Sequence, residues 1–384
     1  MAGSQTLHPR GGRFAAVLAL CVFSFTGRAR AQDPLPPLPA SGIPDQSLAD
    51  VVDATSTPET IAWPVTVPQP SYYPGAVPQP SYYPGAGVAP PGTPVEMGLF
   101  DTITESVFGP ADANTWRPLP LSTLFSEGWH EAWVPSPSGS GGAPRQGWIN
   151  AADGNMYRLW FFTFAQAFNQ GPKGNAYLGA YTLYTPLSRR LLLITNIPFV
   201  LRNSAGSGLP TIGPTGLTPP SKNHTTFGDI SFTPRVLLHE TKDFSLTSEV
   251  AVLVPTGNQP LAGKTALIPA ASFWYNFAGR WAIRGGIGDY IPLGGGGSDN
   301  LISQLAIGQT LTDHDVPLFG DFTWYVSTVV NTPLRDGQHT SVTLTPGMRT
   351  HLGRDWYFLA GLPTPVTSQR VGDIGMIFWF MKAW

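Results

Sequence analysis

The sequence predicts an all-β fold: a closed antiparallel up-and-down transmembrane β-barrel of about 12 strands. Three observations predict it. After residue 153, extended segments alternate apolar and polar residues, the links between them are alternately tight and long, and the last segment is aromatic and alternating up to Trp384. A signal peptide and a proline-rich disordered tether are predicted to precede the barrel.

The alternation is clearest in residues 227–240. Ile230 and Phe232 lie on one side of this extended segment, whereas Asp229 and Arg235 lie on the other. Alternation alone is typical of a soluble β-sandwich as well as of a membrane barrel, so it leaves both folds open.

The links between the segments discriminate between the two folds. Tight links fall at residues 188–190, 241–242, 278–279, 313–315 and 353–354, and longer polar links fall at residues 202–225, 256–263, 294–300, 331–338 and 364–370. This regular exchange is typical of an up-and-down barrel with short periplasmic turns and long outer loops. The Greek-key connections of a sandwich do not require it.

Composition and charge exclude one class of partner. Only 12 % of the residues are charged, and the chain contains 43 glycines and 40 prolines, so few side chains can cover a water-exposed surface. Arg10, Arg13, Arg28 and Arg30 all precede residue 32, and the remaining chain is therefore net acidic. An acidic chain of this kind argues against nucleic-acid binding.

The first 31 residues predict an export signal. Arg10 and Arg13 precede the apolar run 14–25, and Ala29 and Ala31 are small residues at the positions that a signal peptidase reads. The alternative is a membrane anchor, but the run is shorter than the ~20 residues that span a bilayer. Cys21, the single cysteine, lies within the run and would be removed with it.

Residues 32–96 are rich in proline and predict a semi-rigid disordered tether. The stretch VPQPSYYPGA occurs at residues 67–76 and again at residues 77–86. Its paired tyrosines could contact a partner or the cell wall; the alternative is a spacer that arose by duplication.

Residues 97–153 predict a short helix and a candidate plug for the barrel. Phe100, Ile103, Val107 and Phe108 recur at helical spacing and are followed by Gly109, a helix stop. The capping residue predicted for this helix is Asp101.

Further along the same segment, Trp129 and Trp133 flank His130 and Glu131. No second ligand stands at helical spacing from this His-Glu pair, so a metal site is not favoured.

The final segment predicts a strand that meets lipid. Its outward residues are Ile374, Met376, Phe378, Phe380 and Trp384. Trp384 is expected at the inner, periplasmic interface of the outer membrane. Phe378, Phe380 and Trp384 also resemble the signal by which the barrel-assembly machinery recognises outer-membrane barrels. Lys382 departs from that pattern but can extend its ammonium to the headgroups.

A family resemblance accompanies these patterns. GDISFTPRVLL at residues 228–238 and LTSEVAVLVPTG at residues 246–257 resemble the outer-membrane protein family of the MetA-pathway of phenol degradation. The resemblance is specific over these residues, loose over the rest of the barrel and absent from the tether. It implies a transporter-like outer-membrane β-barrel associated with the passage of small hydrophobic or aromatic compounds.

Two sets of side chains are predicted to line the lumen. The polar set is Asp229, Arg235, Glu249, Arg284 and Arg349. Because the turn is centred near residue 242, Arg235 and Glu249 are expected opposite each other as an ion pair; the alternative is two independently solvated charges in a wide pore.

The apolar set, predicted as one strip from the first and last strands, is Trp160, Phe162, Phe164, Trp379 and Met381. The strip is expected to bind an apolar solute or, alternatively, to pack against a plug containing Phe100, Val107, Trp129 and Trp133.

The functional prediction follows from the barrel and the strip. The chain is expected to conduct small hydrophobic or aromatic solutes across the outer membrane of a Gram-negative-type bacterium; the alternative is a cell-envelope or surface-attachment protein that uses the barrel as an anchor. No enzyme activity is expected, because the chain contains neither a G-x-S-x-G elbow nor the H-x-S-N-G-type stretch that an outer-membrane phospholipase would resemble. No cofactor or metal is expected. The expected partners are membrane lipid, the assembly machinery, a small hydrophobic solute and, through the tether, the cell wall.

Overall fold

The computed structural model describes residues 97–168, 176–203, 226–257, 265–293, 299–334, 339–367 and 374–384. The predicted signal peptide and tether lie outside these residues. Helix α1 spans Leu99–Phe108, and two 3₁₀ turns follow at Ala113–Thr115 and Leu121–Thr123. Gly98 is the N-cap residue of α1, in place of the expected Asp101, and Gly109 ends the helix.

A closed antiparallel barrel of 12 strands follows the helix. The strands are β1 Leu159–Phe168, β2 Ala176–Pro186, β3 Leu191–Asn203, β4 Ile230–Glu240, β5 Phe244–Val254, β6 Ala266–Ala278, β7 Trp281–Pro292, β8 Asn300–Thr310, β9 Gly320–Pro333, β10 Ser341–Gly353, β11 Trp356–Gly361 and β12 Ile374–Ala383. Two short strands, Thr226–Phe227 and Thr364–Pro365, pair with β3 and β10. Each long strand pairs with its neighbours in the chain, and β1 pairs with β12 from Leu159 opposite Ala383 to Phe168 opposite Ile374. This last pairing closes the sheet and leaves no free edge between the first and last strands.

The two faces of the sheet are inverted relative to a water-soluble protein. In β5, Thr247 is 0 % exposed on the inner face, whereas Val250 is 39 % exposed on the outer face. Large apolar side chains on neighbouring strands, such as Phe232 and Ile307, are also exposed on the outer face. A sandwich would bury these residues between two sheets. Their exposure on the outer face therefore distinguishes the barrel from a sandwich.

Four of the five links predicted to be tight are short in the structure, at residues 187–190, 241–243, 279–280 and 354–355. The fifth, predicted at residues 313–315, is a longer link over residues 311–319. All five connect strands at one end of the barrel, which we call the tight-turn end. None of the helices in the described parts of the chain is long and apolar enough to cross a membrane.

The segment before the first strand has two parts. Residues 97–142, which we call the rim segment, contact the tight-turn end through pairs such as Leu119 with Glu240 and Glu127 with Arg190. Residues 143–156, which we call the plug, lie inside the barrel, where Trp148 and Ile149 are buried in the largest apolar cluster.

The predicted composition of the plug is wrong in part. Phe100 is 83 % exposed and Val107 is half-buried on α1, at the rim. Trp129 is half-buried in the rim segment, where its Nε1 donates to the main-chain oxygen of Leu124, and Trp133 packs against Met156 beside the tight-turn end. The residues inside the lumen come instead from the stretch APRQGWINAADGNM, whose small residues allow close approach to the wall. At Gly154, a Cβ atom would lie 2.5 Å from the Cα atom of Phe273.

Candidate functional site

The barrel interior is the candidate site, and an arginine of β4 connects its wall to the plug. Arg235 lies opposite Glu249 in the β4–β5 register, and its Nε is 2.5 Å from Glu249 Oε2. Its Nη1 forms an ion pair with Asp153 and donates a hydrogen bond to the main-chain oxygen of Asn155 at 2.9 Å. All three charged side chains are nearly inaccessible to water, so the lumen is narrow at this level and the alternative of two solvated charges does not hold.

A second arginine holds the plug through main-chain oxygens. Arg284 of β7 is fully buried; its Nε donates to the oxygen of Ala152 at 2.7 Å, and its Nη1 donates to the oxygen of Gln146. The guanidinium also lies over the ring of Trp148, 5.3 Å from its centroid. Arg284 therefore recognises the path of the plug backbone rather than a charged side chain.

Aromatic and hydroxyl groups of β9 and β10 complete the attachment. Trp148 stacks on Tyr325 with ring centroids 5.2 Å apart, and the Tyr325 hydroxyl accepts a hydrogen bond from the Ile149 amide at 3.0 Å. Asn150 Nδ2 donates to Thr345 Oγ1 at 2.9 Å. The hydroxyls of Tyr325 and Thr345 are thus paired with the plug inside the barrel.

The remaining predicted polar residues lie nearer the ends of the barrel. Arg349 of β10 is buried with its guanidinium 4.1 Å from the centroid of the Tyr357 ring. Asp229 lies one residue before β4, and its Oδ1 accepts a hydrogen bond from the Gly257 amide at 3.0 Å. Asp229 therefore shapes the rim at the long-loop end.

The predicted apolar strip is wrong for its β1 members. Phe162 and Phe164 are 38 % and 43 % exposed on the outer face, and Trp160 lies on the same face against Trp356. The inward face of β1 carries Leu159, Phe161, Thr163 and Ala165, all buried. Both faces of β1 are rich in apolar side chains, so alternation does not show which face points into the barrel. The pairing of β1 with β12 decides this.

The β12 members of the strip do face inward. Trp379 and Met381 lie opposite Thr163 and Phe161, and the rings of Trp379 and Phe161 stack with centroids 4.5 Å apart. The interior apolar surface therefore contains Phe161 in place of Phe162.

The predicted assembly-signal residues lie at the outer surface and the tight-turn end. Phe378 and Phe380 pack against Phe358 on the outer face, with ring centroids 6.1 and 5.2 Å apart. Trp384 Nε1 donates to the main-chain oxygen of Val107 at 3.3 Å. The Lys382 ammonium donates to the Arg354 oxygen at 2.6 Å, in the adjacent tight turn. Recognition of these residues by assembly machinery stays a prediction.

A cavity of about 90 Å³ lies between the plug and the wall. Its apolar lining includes Phe161, Tyr184, Ile194 and Trp379, and its polar lining includes Thr163, Asn196, Thr233 and Glu249. An engineered cavity of roughly 150 Å³ holds benzene, so this cavity admits water but is too small for an aromatic solute without movement of the plug or wall.

Glu131, from the His-Glu pair of the rim segment, makes contacts within that segment. Glu131 accepts from Arg117 Nη2 at 2.7 Å and from the Gly128 amide at 3.0 Å. Within the described ranges, no group of three or more His, Cys, Asp or Glu side chains is arranged to hold a metal ion.

The interior arginines and the pairing of Arg235 with Glu249 were identified from sequence, but the partners that the plug supplies were not. Alternation reveals that Arg235 and Arg284 point inward, whereas nothing in the pattern shows that Asp153, Ala152 and Gln146 meet them. The one available signal was the pair Trp148-Ile149, two large apolar residues in a segment otherwise made of small and polar residues.

Together, the fold and the interior define a closed β-barrel occupied by a segment of its own chain. No family model matches the chain, and no curated protein matches it. Among solved structures, an outer membrane channel from Pseudomonas putida F1 is similar at 12 % identity and a TM-score of 0.43, over 59 % of this chain and 94 % of that one. The Ralstonia pickettii toluene transporter TbuX is similar at 9 % identity and a TM-score of 0.28, over 74 % of this chain and 98 % of that one. Both similarities are remote.

Proposed function

We propose that this protein is an outer-membrane β-barrel that conducts small hydrophobic or aromatic solutes, with the plug as its gate. The outer surface supports the membrane location, because exposed Phe, Val, Ile and Leu side chains are stable in lipid and costly in water. The tight-turn end corresponds to the periplasmic side of such a barrel.

The observation that carries the proposal is the mixed lining of the cavity between plug and wall. Phe161 and Trp379 offer an apolar stack, while Thr163 and Asn196 lie beside them. An aromatic solute would gain roughly 25 cal/mol per Å² of buried apolar surface there, enough for weak and reversible binding along a path.

The plug must move for such a solute to pass. Its contacts to the wall combine apolar packing of Trp148 and Ile149 with hydrogen bonds and ion pairs. Water can replace the polar contacts one at a time, whereas a plug held only by apolar packing would have no such replacement. The closed arrangement argues against a permanently open, water-filled pore and is compatible with a solute-dependent gate.

The plug inside the lumen also favours one alternative function. A lumen filled by a well-bonded plug also suits a barrel that serves as an anchor for an envelope-attachment protein, as expected for a tether with repeated Pro and Tyr residues. In that case the plug stabilises the barrel and never leaves.

A reversible lock on the plug tests the two functions. In a Cys21→Ser background, Asn150→Cys and Thr345→Cys would join the plug to β10 at a contact where the native side chains are 2.9 Å apart. Oxidation should abolish toluene-sized aromatic flux into liposomes, and reduction should restore it. Each single variant under the same oxidant is the control. Equal flux in the locked and reduced states would refute the gate, and absence of flux in every state would favour the anchor.

The remaining expectations belong to this proposal as well. The family resemblance of residues 228–257, recognition of the last strand by assembly machinery and contact of the tether with the cell wall are consistent with an exported outer-membrane barrel. N-terminal sequencing of the membrane-extracted protein should give Gln32 as the first residue if the signal peptide is cleaved after Ala31.

A further inference from the structure

Helix α1 exposes its apolar side. On a helical projection, Leu99, Phe100, Ile103 and Val107 fall within about 100° of arc. Of these, Phe100 is 83 % exposed and Leu99 is 57 % exposed. A helix that packed its apolar side onto the barrel would show the opposite pattern.

The residues that α1 buries are polar. Thr102 and Ser106 are each 0 % exposed, and Ser106 Oγ accepts a hydrogen bond from the Trp133 amide at 2.9 Å. Asp101 and Glu105 lie on the side opposite the apolar arc, and the two buried residues lie between the acidic and apolar sides. The helix therefore has one surface toward the protein, one acidic and one apolar, and at its C-terminal end the exposed Phe108 lies beside the acidic side.

The position of α1 is set by the strand ends next to the outer surface. Arg158, directly before β1, donates from Nη1 to the main-chain oxygens of Ser106 at 3.2 Å and Gly109 at 2.9 Å, and from Nε to the Trp384 oxygen at 2.6 Å. Trp384 Nε1 donates to Val107. The C-terminal turn of α1 is thus held at the junction of β1 and β12.

That junction adjoins an aromatic part of the barrel's outer surface. Trp160 and Trp356 pack edge to face with ring centroids 5.5 Å apart, each beside Lys382 of β12. Tryptophan and lysine are typical of the boundary between lipid tails and headgroups. The apolar side of α1 therefore lies close to the level at which the bilayer would end.

We propose that α1 is an interfacial helix whose apolar side, led by Phe100, lies in the inner leaflet of the outer membrane, with Asp101 and Glu105 toward the periplasm. The proposal rests on the membrane location given under the proposed function. An amphipathic helix binds an interface through its buried apolar area, and the separation of the apolar residues of α1 from Asp101 and Glu105 permits that orientation although the helix carries no basic residue. Anchored in this way, the helix would fix the start of the rim segment to the bilayer and give the plug a fixed point from which to move.

Fluorescence quenching in the full-length protein tests the proposal. In a Cys21→Ser background, Phe100→Cys and Glu105→Cys are labelled separately with an NBD fluorophore, and Phe162→Cys marks the lipid-facing surface of β1. The proteins are reconstituted in phosphatidylethanolamine and phosphatidylglycerol vesicles that contain a lipid with a nitroxide near its headgroup, or in plain vesicles with iodide on both sides. Positions 100 and 105 are both exposed on α1.

The nitroxide lipid should quench the label at position 100 roughly twofold or more over the label at position 105, and iodide should show the reverse order. Equal iodide quenching at positions 100 and 105, with position 162 still quenched by lipid, would overturn the interfacial helix and leave the membrane barrel intact. Protection at position 100 that depends on protein concentration and not on nitroxide lipid would assign the surface to a second copy instead. Loss of lipid quenching at position 162 as well would refute the membrane location itself.

Discussion

Arg284 donates a hydrogen bond from Nε to the main-chain oxygen of Ala152 at 2.7 Å, so a fully buried cation of the barrel wall is bound by the backbone of the plug. Backbone oxygens cannot be altered by side-chain substitution in the plug. The wall residue is therefore the place at which this attachment can be tested.

Replacing Arg284 by Met should loosen the plug. The variant removes two charge-assisted hydrogen bonds, each worth about 1.5–3 kcal/mol when its partner is left buried, and the loss is offset in part by relief of the buried charge. We expect more frequent opening events in planar-bilayer recordings. Arg280→Met, which breaks only the exposed ion pair with Asp313, is the matched control and should leave the opening frequency unchanged.

Glu249→Gln should destabilise the barrel. Arg235 keeps its contacts with Asp153 and Asn155 but loses the compensating charge across the β4–β5 pair. Because the pair is buried, we expect a loss of about 1–3 kcal/mol, seen as a lower temperature for conversion from the fast-migrating folded band to the slow unfolded band on a gel. Asp313→Asn at the exposed pair with Arg280 should change this temperature little. Similar temperatures for both variants would show that water reaches Arg235 freely.

Phe161→Ser and Phe162→Ser should separate the two faces of β1. Phe161 stacks on Trp379 inside the barrel, whereas its neighbour Phe162 lies on the outer face. In liposomes, Phe161→Ser should slow an aromatic solute more than a sugar of equal size, and Phe162→Ser should not change their ratio. An equal ratio of aromatic to sugar flux in the two variants would show that the stack of Phe161 on Trp379 only packs the interior and does not contact the solute.

Acid should release the rim segment from the β4–β5 turn. Ser140 donates from Oγ at 2.7 Å and from its amide at 2.5 Å to the Asp243 carboxylate, and these hydrogen bonds hold its pKa below the ordinary value of 3.8. A lowered pKa in the folded state stabilises the contact above pH 3.8, and the stabilisation is lost as pH falls through the lower folded value.

Amide exchange of residues 139–142 should therefore rise in this acidic range once the intrinsic pH dependence of exchange is removed. Asp243→Asn should give fast exchange at every pH, and Asp315→Asn, in the exposed β8–β9 link, should behave as the native chain. A corrected exchange rate that does not change with pH would contradict the role of the Asp243 contact.

Local pattern predicted the barrel itself. Alternation along each strand and the exchange of tight and long links are properties of consecutive residues, and the polar inward face of β4 and β5 follows from them directly. The opposition of Arg235 and Glu249 also follows, because a short turn leaves only a few registers for the two strands that it joins.

Tertiary structure decided what local pattern leaves undetermined. Both faces of β1 are rich in apolar residues, so the inward position of Phe161 depends on pairing with β12, more than 200 residues away in the chain. The plug shows neither the helical nor the strand spacing of apolar residues. Its path is set by arginines on strands that are distant in the chain and need buried partners. Helix α1 was predicted from its spacing, but the environment of its apolar side depends on where Arg158 and Trp384 hold it. Sequence determined the parts whose energy comes from neighbours in the chain; the fold decided those whose partners are brought together only when the barrel closes.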